Sequence, residues 1–247
     1  MNKGKIIFGI IGLLGVAVFI AAVVISLVNA SGYSLLNGFV GELGIYSGGY
    51  FSQGPAMLFN IGLAAAGVLL TIFMVGYGIG KNTRMHTAAV FFAMLTGILM
   101  AAMAVFTLNY TTLHYIITTA YYCSAFVACA LIVVATIVTD KTRVSGLAGI
   151  IFAFIAGVLS AAFAGYMFSG SMAQVFVEDA SQVGRPGVMP FALIGWLALA
   201  LVFALLAALS VSMILEGKNA KPAVSAKPKA DARKVRLDKA DIREIEL

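Results

Sequence analysis

Charge is scarce in this chain. Of its 247 residues only 11% are charged, while 62% are hydrophobic and the mean hydropathy is +1.02. An ordinary soluble domain carries about 25% charged and about 45–50% apolar residues. The shortage excludes a disordered chain and a cytosolic globular enzyme, and leaves an integral membrane protein. Cysteine is almost missing too: Cys123 and Cys129 are the two present, which excludes a disulfide scaffold. On one helix they stand about 240° and about 9 Å apart, too far to bridge. They read as small core residues. With two histidines in the whole chain, a metal site is not expected, because catalytic zinc wants about three protein ligands, usually including His. No cofactor is expected either.

The charges that exist are placed unevenly. Residues 216–247 hold nine Lys or Arg and six Asp or Glu, so 11 of the 26 charges serve the first 215 residues. Between those 11 lie apolar runs at about 6–28, 55–79, 86–107, 113–138, 144–168 and 188–215. About 20 helical residues cross the ~30 Å hydrocarbon core, and each run is long enough. Continuous runs favour helices over a barrel, whose strands alternate. The expected fold is all-α: a polytopic six-helix transmembrane bundle over residues 1–215, followed by a charged, largely disordered tail at 216–247.

Basic residues set the orientation. Lys3, Lys5, Lys81, Arg84, Lys141, Arg143 and the tail all fall on one side, while the other side carries Arg185 with Glu42, Glu178 and Asp179. The positive-inside rule makes the first side cytoplasmic, so both termini are expected there, in the plasma membrane. The first run is longer than a 7–15 residue signal-peptide core, so it is expected to stay as a span. The net charge of +6 is no nucleic-acid footprint: the tail supplies +3, and most of the rest marks helix ends.

Charge is also absent within the apolar runs. This counts against ion-coupled transporters, pumps and voltage sensors, whose paths need ionisable groups in the bilayer. No three-plus-three inverted repeat and no P-loop, HExxH or GxSxG signature occurs.

What is present clusters on the outer side. A loop at 29–54 holds seven glycines and one charge, Glu42, and is apolar enough to lie against the membrane. Glycine permits tight or re-entrant paths there. His114 opens the fourth span beside Tyr110, and Asn60 lies just inside the second. A last loop, 169–187, carries Arg185 and reads as a short interfacial segment. Glu42 and His114 are the candidate acid–base or catalytic pair; Asn60, Tyr110 and Arg185 are candidate ligand-binding residues for a polar or anionic head group. The plainer reading is interfacial residues facing water, with tyrosines as belt anchors. In the fifth span Gly149, Ala153, Gly157, Ala161 and Gly165 recur every four residues, a pattern that lets helix backbones approach. Four-residue steps drift about 40° each, so one straight neighbour cannot meet them all. Packing within the chain and homo-oligomerisation both fit. The tail fits a solvated anchor, attraction to anionic lipid, or a cytoplasmic partner.

The stretch Gly41-Glu42-Leu43-Gly44, then Leu58-Phe59-Asn60-Ile61-Gly62-Leu63 and Gly67, with His114 at the outer start of the fourth span, resembles a prokaryotic family of six-span membrane proteins of undefined function. That family is distantly akin to the eukaryotic FRAG/DRAM membrane proteins, some linked to lipid or GPI-anchor remodelling. The resemblance covers about residues 5–215. Glu42 stands where the family usually has Ser. The resemblance implies the six-span fold and lipid handling, and supplies no catalytic residues. The leading expectation is binding or remodelling of a lipid or amphiphile at the outer leaflet, with membrane lipids as partners. Alternatives are a non-enzymatic accessory or assembly subunit and, less supported, an uncoupled transporter.

Overall fold

A computed structural model describes residues 2–30, 32–45, 53–79, 83–139, 144–169 and 187–220. Six long helices form: α1 (Lys3–Asn29), α2 (Gln53–Gly78), α3 (Arg84–Val105), α4 (Thr111–Thr139), α5 (Val144–Phe168) and α6 (Pro190–Asn219). No strand occurs among the described residues. Each helix is long and apolar enough to cross a membrane, so the chain is an all-α, multi-pass membrane protein. Helix starts follow local chemistry. The Asn2 side chain accepts from the Lys5 amide, and Thr83 accepts from the His86 amide, each occupying a donor that the first turn leaves unpaired. Pro190 occupies the first turn of α6, where its missing N–H costs nothing.

Helices that follow one another in the chain pack side by side, and the main contacts run α1–α2–α3–α4–α5–α6. The ring then closes, because α1 also packs on α6. The start of α1 and the end of α6 lie together at one end of the ring; the opposite end is the far end. Apolar residues such as Ile7, Leu14, Phe91, Ile116 and Phe154 cover the outside, as lipid-facing surface requires. The axis is filled by rings. Phe19 of α1 stacks on Phe203 of α6 at 3.9 Å and 8°, and Tyr122 packs at 4.4 Å on Phe163. Two polar contacts at depth join neighbouring helices: Thr96 with Ser124 at 2.9 Å, and the Tyr122 hydroxyl donating to the Gly195 carbonyl.

One boundary differs from the sequence reading, which starts the tail at Glu216. The helix α6 runs on to Asn219. The Asn2 amide donates to the Gly217 carbonyl at 2.7 Å, and Lys5 Nζ meets Glu216 Oε2 at 2.8 Å. Those contacts hold the last turn of α6 against the first turn of α1. Both partners of the ion pair are more than a third exposed, so the pair is screened. Glu216→Gln should cost at most about 1 kcal/mol, seen as a small shift of the thermal midpoint in detergent. Residues 221–247 lie outside the described residues.

Candidate functional site

The far end is closed by its own loop. A single 3-10 turn, Val40–Gly44, dips into the mouth of the ring and buries Phe39, Glu42 and Leu43, the last completely. Loop backbone at membrane depth needs partners for its polar groups, and two helices, α2 and α6 with its N-terminal flank, supply them. The Met189 amide, just before α6, donates to the Leu36 carbonyl at 2.7 Å. Trp196 Nε1 of α6 donates to the Gly38 carbonyl at 3.0 Å. Asn60 Nδ2 of α2 donates to the Gly44 carbonyl at 3.0 Å. Glycine is required where the cap meets the wall: a Cβ on Gly41 would sit 2.8 Å from His114 Nε2.

Below the cap lies a chamber of about 50 Å³. At roughly 10–15 Å³ per water, it has room for about three to five. Its walls are largely apolar, including Phe59, Leu63, Met103, Phe163 and Leu199. Besides Asn60 and Thr107, the polar lining is mostly a stripe on α4: Thr111, His114, Thr118 and Tyr121 all line it. Steps of three and four residues keep these on one helix face. The stripe descends about 15 Å from the far end, which is about half the hydrocarbon core.

The chemistry of this stripe can be stated residue by residue. His114 is 8% exposed, and its Nδ1 lies 2.7 Å from the Phe106 carbonyl. A carbonyl can only accept, so Nδ1 carries the proton, and neutral Nε2 is an acceptor turned to the cap. Thr118 Oγ1 donates to Met103 Sδ at 3.3 Å, a weak acceptor that a better one displaces. Tyr121 is 1% exposed, and its hydroxyl has no hydrogen-bond partner among the described residues. Leaving such a donor dry costs about 1–3 kcal/mol. Tyr121 also lines a second, apolar chamber of about 40 Å³ deeper in the ring, so its ring stands between the two.

The structure sorts the sequence candidates. His114 and Asn60 are on the chamber wall. Asn60 has its amide committed to the cap. Glu42 is buried in the cap, one residue from the Gly41–His114 contact, and is not on the wall. Tyr110 is 61% exposed, edge-on to Phe106, and off the wall. Arg185, Glu178, Asp179 and the 169–187 segment beyond Ser169 lie outside the described residues up to Gly187. On α5, Ala153 is fully buried among Cys129 and Val202, and Gly157 lies against Cys129 of α4. Ala161 is half-buried, while a Cβ at Gly149 or Gly165 would meet nothing within 4 Å. Among the described residues no three His, Cys, Asp or Glu side chains come together as a metal site would need, and no Lys or Arg lines the chamber.

Sequence reasoning missed Thr118, Tyr121 and Tyr122. Their signal was available: Thr111, His114, Thr118 and Tyr121 repeat at helical spacing on an otherwise apolar span.

Comparison with known proteins finds no match for this chain, neither a family, nor a curated protein, nor a solved structure.

Proposed function

We propose that this membrane protein binds a neutral amphiphile at its far end, with the polar group of the ligand against the α4 stripe. The observation that carries this reading is a hydrogen-bonding stripe, half a span long, turned into an enclosed apolar chamber instead of towards water. His114 Nε2 offers an acceptor and Tyr121 a donor, which suits a hydroxyl, ester or carbonyl group. An anionic group would bring an uncompensated charge into the chamber, because no cation on the described wall would meet it. By the positive-inside argument the far end faces the outer leaflet. Among the described residues His114 and three tyrosines are the titratable side chains on the wall, with no carboxylate or thiol beside them. The proposal is therefore binding rather than turnover.

The test is bound lipid, counted by native mass spectrometry of protein extracted from its membrane. The double change His114→Ala with Thr118→Val should lower bound neutral lipid about tenfold, the equivalent of about 1.4 kcal/mol. Tyr110→Phe, off the wall, should leave it unchanged. Equal lipid in all three proteins refutes the chamber as the binding site.

A further inference from the structure

A larger open volume than the chamber lies elsewhere. Between α1 and α6 a crevice of about 350 Å³ opens sideways in the apolar surface. Its walls are wholly hydrophobic: Ile20, Val23 and Val24 on one side, Ala200, Ala204 and Ala207 on the other. Packing explains why it exists. In the half nearest the termini the two helices touch through small residues. A Cβ on Gly9 would lie 2.8 Å from the Ser210 carbonyl, and one on Gly217 2.9 Å from the Asn2 carbonyl. From Val16 onward α1 presents bulky side chains instead, so the seam widens towards the far end.

Two residues of α6, one turn apart, separate this crevice from the interior. Leu199 lines both the crevice and the chamber under the cap. Phe203 lines both the crevice and the deeper chamber. Phe203 is held by its stack on Phe19. Behind the partition stands Tyr121, which lines both chambers and whose buried hydroxyl has no hydrogen-bond partner among the described residues.

We propose that the α1–α6 crevice is a lateral door, through which a single-chain neutral lipid passes between the far leaflet and the interior, with Leu199 and Phe203 as the moving leaf. The occupant follows from place and length. The crevice opens on surface that contacts hydrocarbon, so the molecule in it is a lipid chain. From Val16 to Val24 it runs about 12 Å, close to the ~15 Å depth of one leaflet. The chamber is too small for such a chain, so the chain stays in the crevice while the oxygen of the lipid passes the partition to Tyr121. This proposal rests on the reading of the chamber as a binding site, and adds the class of ligand and its route.

The experiment loads full-length protein in phosphatidylcholine vesicles with a monoacylglycerol whose diazirine sits at the ester end of the chain, beside the oxygens. It then measures two things: crosslinking to the α4 peptide carrying Thr118 and Tyr121, and the rate at which unlabelled monoacylglycerol displaces the probe. Ala200→Phe, which fills the crevice, should slow exchange about tenfold. Leu199→Ala, which thins the partition, should speed it about tenfold. Ala162→Trp, on the exposed face of α5, should match the parent. If α4 is labelled but neither door variant changes the exchange rate, the door is refuted and the binding reading stands. If α4 is not labelled in the parent, the binding reading fails and takes the door with it.

Discussion

Replacing Gly67 with leucine should cost about 3 kcal/mol or more, the upper range for overpacking a tight contact. In lipid the hydrophobic effect does not hold helices together, since hydrocarbon tails are as apolar as the side chains. Close packing carries the load, and two backbones approach very closely at this point of the α2–α3 seam. A Cβ on Gly67 would lie 2.6 Å from the Gly97 carbonyl oxygen and 2.7 Å from the Ala101 amide nitrogen. Neither atom is the end of a flexible side chain, so the helices themselves must separate. Thr71 of α2 fills the next turn against Gly97 and leaves no room for a slide. Gly165→Leu places the same side chain where a Cβ meets nothing within 4 Å, and should shift stability by less than about 0.5 kcal/mol. Unfolding midpoints of the two variants in detergent provide the comparison. Similar midpoints would mean that the α2–α3 approach is not what holds the ring.

The second large effect belongs to the cap. Asn60→Leu keeps the side-chain volume and removes the donor to the Gly44 carbonyl, at a site where Asn60 is 5% exposed. A buried acceptor left without its donor costs about 1–3 kcal/mol. At about 2 kcal/mol the population of the displaced cap should rise roughly 30-fold. Leu43, fully buried beneath the cap, is the reporter. With Leu43→Cys as background, maleimide labelling should accelerate by that factor when Asn60→Leu is added. An unchanged labelling rate would show that the Trp196 and Met189 contacts hold the cap without Asn60.

The spans were legible because lipid imposes a single demand, a long uncharged helix, and the sequence answers it six times. Boundaries shift only where polar ends find partners, as at Glu216, where Lys5 and Asn2 extend α6. The site was half legible. His114 and Asn60 stand out because each is polar at the edge of an apolar run. Tyr110 has the same look and faces away: it ends the short 3-10 turn Leu108–Tyr110 ahead of α4, edge-on to Phe106, and so is off the helix face that carries His114. Tyr121 and Thr118 carry no charge, so a search for intramembrane charge passes over them, although their period marks a face. The crevice has no sequence signal. It arises where the first helix meets the last, and no loop connects that pair.

The Trp196–Gly38 hydrogen bond has an optical consequence. Trp196 is the only tryptophan in the chain; its ring lines the crevice and its N–H holds the cap. Its emission therefore comes from one known place. The indole shares a single environment with the loop above it and the lipid chains beside it. Without any label, the native fluorescence of the protein is a gauge of whether the mouth is shut and what fills the groove next to it.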